Sequence, residues 1–139
     1  IESRRRIMFD PKKPTVQMLG RWQPFHDGHL ALFKEALKKT GQVCIMVRDT
    51  GGNDDSNPFD FDFVKEKIEE ALLPEYEGKF VVQLVPNITN ISYGRGVGYA
   101  IEEIVLPEKI QKISATDIRA KMKEVAQDVI EATANQALD

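Results

Sequence analysis

Both histidines of the chain, His26 and His29, stand in one short turn, "GRWQPFHDGH", with Asp27 and Gly28 between them. A neutral imidazole donates one hydrogen bond and accepts another, and near pH 7 it can also take up charge. Two rings at this spacing allow three chemistries. They can donate N–H groups to an anion. One can cap a helix while the other fills a gap. Or both can ligate a metal. Zinc would need a third ligand, and with no further histidine only carboxylates or Cys44 could supply it. Asp49, Asp54 and Asp55, near "TGGNDDSN", could hold a cation or simply form an exposed acidic loop. The anion reading draws most on the neighbours. Gly28 has no side chain to keep a phosphate from the backbone. Arg21 offers a planar fork suited to phosphate. A helix predicted to start here adds unpaired N–H groups and a positive dipole end. The turn therefore reads as a phosphate cradle that needs no protein-bound metal.

A second anion-binding pattern lies late in the chain, in "ISATDIRAKM". Ser114 followed three residues later by Asp117 predicts a helix start of capping-box type, with Asp shorter than the usual Glu. Thr116 and Arg119 fall on its first turns, where Arg119 can reach whatever the amides bind. Taken alone, this is also how an ordinary capped helix reads. Weaker candidates surround the two patterns. Gly20 and Trp22 flank Arg21 as nucleotide contacts, with burial as a core anchor the alternative for Trp22. Arg48 and Arg95 are candidates for an acceptor's phosphate, with a surface ion pair and a plain turn residue as the alternatives.

The elements that must position these residues alternate in type. "PTVQMLG" predicts a strand, and "RWQPFHDG" a loop. "HLALFKEALKK" has helical spacing of Leu30, Leu32, Phe33, Ala36 and Leu37, ended at Thr40 and Gly41. "QVCIMVR" is a continuous apolar run, as in a buried parallel strand. "FDFVKEKIEEALL" predicts a second helix closed by Pro74, and "KFVVQLVP" a third strand. "NITNISYGRGVGY" reads as loop, "VGYAIEEIVL" as a short helix running into a short strand, and residues 114–138 as helix in two pieces. This alternation predicts a mostly parallel sheet with helices on both faces. In such sheets ligands gather at the carboxyl ends of strands, which is where the histidine turn leaves the first one.

The bulk composition sets outer limits. The 139 residues fit one domain, and 42% apolar with 29% charged residues is a globular composition. No apolar run approaches the roughly 18 residues of a membrane span, and the N-terminus has no secretory pattern, so a cytoplasmic setting is the default. A net charge of −3 argues against nucleic acid as a partner. The single cysteine, Cys44 in "QVCIMV", reads as a small buried apolar residue. Residues 1–13 carry Arg4, Arg5, Arg6, Lys12 and Lys13 and read as a basic linker or tail before a domain over 14–139, itself expected to be cut from a longer chain.

Together, H-x-G-H after the first strand and I-S-x-T-x-x-R near the end resemble the HxGH nucleotidyltransferase superfamily over most of residues 14–122. The resemblance implies a Rossmann-like, three-layer α/β sandwich of the HUP type. It also implies transfer of a nucleotidyl group from ATP or CTP, with Mg²⁺, to a phosphate-bearing acceptor. His26, His29 and Arg119 take the catalytic positions of the family motifs; Ser114 and Thr116, with Arg119, hold the β- and γ-phosphates. The words "GRWQPFHDGH", "NPFDFDFVKEKIEEAL" and "ISATDIRAKM" are similar to those of archaeal-type nicotinamide-mononucleotide adenylyltransferases, which favours AMP transfer from ATP. A cytidylyltransferase and a nucleotide-binding module without turnover are the alternatives. Two departures stand out. Only "GRGVGYAIEEIVLPEKIQK" fills the interval before the second motif, and no tryptophan follows "VPNITN". Domains of this wording also occur fused to kinase-like domains, and family members are often homo-oligomers.

Overall fold

The computed structural model describes residues 8–51, 54–95 and 98–124. Three strands, β1 (Val16–Gly20), β2 (Val43–Arg48) and β3 (Phe80–Val85), alternate with two long helices, α1 (Asp27–Thr40) and α2 (Phe61–Leu72). A one-turn helix, α3 (Glu108–Gln111), follows. A helix over 115–124, α4, closes the described chain.

Local chemistry sets the helix ends. Gly41 terminates α1 in the left-handed region (φ 89°), its N–H bonded to Leu37 O at 2.8 Å. Asp27 lies in the first turn of α1, and Lys38 and Lys39 lie in the last, each sign matched to the dipole. Asp60 caps α2 by accepting from Phe63 N at 2.9 Å. Pro74 follows α2 and cannot continue it.

The sheet is parallel throughout, in the order β1-β2-β3, with Met18 beside Ile45 and Ile45 beside Val82. Val43, Ile45 and Val47 point to one face and are buried against Phe33 and Ala36 of α1 and Val64, Ile68 and Leu72 of α2. This is a Rossmann-like α/β arrangement, as the sequence pattern predicts. The third layer is different. Right-handed crossovers along a strand order that never reverses put both long helices on the same face. The opposite face, with Gln17 and Gln83 exposed and Met46 half-buried, carries neither of them. Cys44 lies there too. It is half-buried rather than core, its Sγ 3.4 Å from Gln83 Oε1 and its thiol pushed up by partial burial.

One further expectation changes. Residues 98–106 form neither helix nor strand. Among the described residues of this stretch, the apolar side chains find little to pack on: Ile101 is 65% and Val105 75% exposed, and only Ile104 reaches the core. A segment this short has no stability of its own without such packing. Instead a turn of helix forms after Pro107, which sits at its N-cap. At the other end, residues 10–15 are tied to the domain. Buried Gln42 donates to Asp10 O at 2.6 Å and to Thr15 Oγ1 at 2.7 Å, and accepts from Asp10 N at 3.2 Å. Arg4, Arg5, Arg6 and the expected helix beyond 124 lie outside the described residues.

Candidate functional site

The turn between β1 and α1 is built by its own side chains. His26 is the N-cap of α1 and His29 its third residue, and together they form a capping box made of two imidazoles. Gly28 N donates to His26 Nδ1 at 3.0 Å, and His26 N donates to His29 Nδ1 at 3.1 Å. The rings stack, with centroids 3.6 Å apart and planes 19° from parallel. The cap reading and the donor reading of these histidines are therefore one arrangement. A nitrogen that accepts a backbone N–H cannot carry the proton of a neutral ring. Both neutral rings thus carry their proton on Nε2, which the cap leaves unused.

Burial keeps the rings neutral. His29 packs edge-to-face on Trp22, with centroids 4.7 Å apart at 87°, and its ring centroid lies 5.4 Å from that of Phe25. Its pKa is held down to about 3, first by burial and second by neighbouring His26. Burial also lowers His26, against the opposing pull of Asp27.

Gly28 and Trp22 depart from the expected roles. The bare face of Gly28 is not open to an anion. A Cβ there would meet His26 Cε1 at 2.8 Å and Nδ1 at 3.1 Å. Its N–H is already bonded to His26, so the helix start offers fewer unpaired amides than the bare pattern implies. Trp22 does not line an open pocket. It is 6% exposed and its indole Nε1 donates to Met46 O at 3.0 Å.

The second motif meets this turn in space. Arg119 Nη1 donates to Gln23 O at 2.5 Å, across 96 residues of sequence, and Nη2 donates to Thr116 Oγ1 at 3.2 Å. Ser114 Oγ accepts from Asp117 N at 3.4 Å, the N-cap bond the sequence predicts. Arg21, exposed, donates to Asn57 Oδ1 at 3.3 Å. Gly20 ends β1 directly beneath the indole of Trp22. His26, His29, Arg21, Thr116 and Arg119 are thus gathered around one loop.

Among the described residues, the remaining candidates make no hydrogen bond to it. Arg48 ends β2 and donates to Asn87 Oδ1 at 2.9 Å. It borders a cavity of about 90 Å³ shared with Gln23, Thr50 and Asp60, and its Nε is buried without a hydrogen-bond partner among the described residues. Arg95 is exposed in the stretch after β3. The acidic loop is used structurally. Asp54 accepts from Ser56 N and Asn57 N, Asp49 from Gly51 N, and Asp55 lies 3.7 Å from Lys123.

Gln23 is a residue of this loop that motif reasoning passes over. It is buried, donates to Phe59 O at 2.9 Å and accepts from Phe59 N at 3.0 Å, while its carbonyl receives Arg119. A glutamine between an aromatic residue and a proline in a turn is the only trace of this role in the sequence.

Comparison with known proteins agrees with the superfamily reading over residues that hold the histidine turn. Residues 18–71 match the cytidylyltransferase-like family model. A nicotinamide-nucleotide adenylyltransferase of Methanococcus aeolicus is 43% identical over 30 residues, which cover 22% of this chain and 17% of that protein. A solved bifunctional NMN adenylyltransferase/ADP-ribose pyrophosphatase of Francisella tularensis, complexed with AMP and a manganese ion, is 29% identical. It covers 53% of this chain and 23% of its own, at a TM-score of 0.48. The chain thus spans a small part of the relatives it matches. On its two motifs and on residues 18–71, it resembles the nucleotidyltransferase superfamily, in wording similar to that of the NMN adenylyltransferases.

Proposed function

We propose that this domain transfers a nucleoside monophosphate, AMP from ATP, to a phosphate-bearing small molecule and releases pyrophosphate. The observation that carries this reading is the bond from Arg119 to Gln23 O, which brings the late motif onto the histidine turn. The acceptor's phosphate attacks the α-phosphorus in line and pyrophosphate leaves. Such chemistry asks the protein for position and for charge stabilisation rather than for a covalent intermediate. The Nε2–H groups of His26 and His29 donate to the α- and β-phosphate oxygens as negative charge builds. They do so as neutral donors, which suits rings whose pKa values are lowered. Arg119, Ser114 and Thr116 hold the departing phosphates, with Arg21 beside them. Arg48, with its unpartnered Nε, takes the acceptor's phosphate.

A divalent cation such as Mg²⁺, carried with the triphosphate, would offset negative charge on the phosphates and would need few protein ligands. No group of three His, Cys, Asp or Glu side chains is gathered for a cation among the described residues. The adenylyltransferase relative favours ATP. A second reading, CTP as donor, is favoured by the cytidylyltransferase-like family match. A third reading, binding without turnover, is favoured by the exposed and irregular stretch over 98–106, where part of a base pocket would have to stand.

Pyrophosphate release separates the three. ATP and CTP are each tested with a panel of phosphate-bearing acceptors, nicotinamide mononucleotide among them, and nucleotide binding is followed by calorimetry. Release with ATP supports the proposal, and release with CTP alone moves the base. Binding without release in every combination overturns the enzyme reading.

A further inference from the structure

The backbone at Trp22 is unusual. Its φ is 52°, and it is the only non-glycine residue with a positive φ among those described. A bulky aromatic residue keeps that region only where its surroundings over-determine it. The surroundings here are specific. The indole N–H is held by Met46 O at 3.0 Å, so the ring is pinned to β2. Its benzo edge lies on Gly20, where a Cβ would stand 2.9 Å from both Cε2 and Cζ2. Only glycine leaves room for it. The far side of the indole meets the His29 ring edge-to-face at 4.7 Å, with Phe25 close to both rings.

An ordinary core tryptophan would need none of this. Filling the core calls for apolar surface, not for a left-handed backbone and a bare glycine beneath the ring. What the arrangement fixes is the plane of His29. We infer that Trp22 is a positioning residue for His29. Anchored to Met46 O and seated on Gly20, its indole holds the His29 ring so that Nδ1 stays on the His26 N–H and Nε2–H remains the free donor. The path runs from the end of β1, through the indole, to the reacting nitrogen. It gives Gly20 a role as the seat of the indole in place of a ligand contact. The consequence for turnover rests on the proposed function; the ring geometry does not.

The test reads the tautomer directly. With only two histidines in the chain, ring ¹⁵N–¹H correlation spectra contain two sets of signals, and His29→Asn assigns them. In the unaltered chain the His29 signals are those of a single Nε2–H form. Trp22→Leu removes the edge-to-face partner and is expected to move the nitrogen shifts toward an average of both tautomers. Trp22→Phe keeps a ring at the site and is expected to retain most of the Nε2–H signature. Gly20→Ala keeps the indole but pushes it from its seat, and serves where Trp22→Leu does not fold; it is expected to shift the signals in the same direction. Under the proposed function, kcat falls with these shifts, on the order of tenfold to a hundredfold for Trp22→Leu, with less change in KM for the triphosphate. A folded Trp22→Leu or Gly20→Ala protein whose His29 signals match the parent overturns the positioning role, whatever happens to turnover. Conversely, a change of tautomer with no enzymatic activity in the parent leaves the positioning role standing and removes only the proposed function.

Discussion

Two helix N-termini meet at the Gln23 loop, and they are built on different principles. The start of α1 is capped by two histidines that are also its candidate chemistry, half-buried, stacked on one another and walled by Trp22 and Phe25. The start of α4 is capped by Ser114 alone, through a bond of 3.4 Å, and is joined to the rest by the side chain of Arg119. In the first, every cap bond also fixes a ring tautomer. In the second, Thr116 and Asp117 are exposed, and the Arg119 guanidinium makes the bond to the Gln23 loop. A donor must be preorganised to act on a transition state, because reorientation during the reaction would cost what the hydrogen bond gains. The α1 terminus meets that condition within itself. The α4 terminus meets it through Arg119.

Variants that sharpen or break this contrast can be ranked. His29→Asn removes the most constrained donor. Losing one such donor typically costs about 2.7–4 kcal/mol, so turnover is expected to fall on the order of a hundredfold or more. Circular dichroism should remain that of the parent. Near-normal pyrophosphate release would break the assignment of α1 as the reacting terminus. Arg119→Lys keeps the charge but loses the planar fork that spans Gln23 O and Thr116 Oγ1. Hydrogen bonds to charged groups are worth roughly 1.5–3 kcal/mol, so a loss on the order of tenfold or more is expected, felt mainly in triphosphate affinity. An effect larger than that of His29→Asn would reverse the ranking of the two termini.

Gly28→Ala sets two effects against each other. In a helix, alanine is favoured over glycine by up to about 1 kcal/mol. The added methyl would stand 2.8 Å from His26 Cε1, and overpacking of that kind costs roughly 1–3 kcal/mol. The clash is expected to win, lowering Tm and disturbing the His26 signals. A higher Tm would mean that the ring moves freely, and the cap would not be rigid. Ser114→Ala tests the other terminus. Its cap bond is expected to be worth about 1 kcal/mol of local helix stability. Hydrogen exchange of the α4 amides should quicken while those of α1 stay unchanged.

Acid has the same asymmetry. The His29 pKa is lowered from 6.5 when unfolded to about 3 when folded. Between those values the unfolded chain binds the extra proton and the folded chain does not. Stability is therefore unaffected by this ring above pH 6.5 and declines as pH falls from 6.5 toward 3. His29→Asn should flatten that part of a Tm-against-pH curve, and an unchanged curve would show that His29 is not desolvated.

Much of the fold was legible because it rests on local signals. The continuous apolar run of β2, the helical pattern of α2 closed by Pro74, and the Gly41 stop each follow from local side-chain or backbone preference, whereas the burial of Val43, Ile45 and Val47 on one face of β2 does not show in that run. The stretch over 98–106 misled for the same reason. Its apolar spacing is real, but spacing becomes structure only where there is a surface to pack on, and Ile101 and Val105 have none.

The sequence by itself determined which groups could act: two imidazoles around a glycine, and an arginine on a capped helix. Only the tertiary structure decided what those groups are to each other. It turned the histidines into each other's cap, which sets the proton on Nε2. It set the bare face of Gly28 against the His26 ring and the Trp22 indole against His29. It brought Arg119 to Gln23 across 96 residues. The physical reason is that a residue's type carries its donors and acceptors, whereas its tautomer and its burial belong to the neighbours that folding supplies.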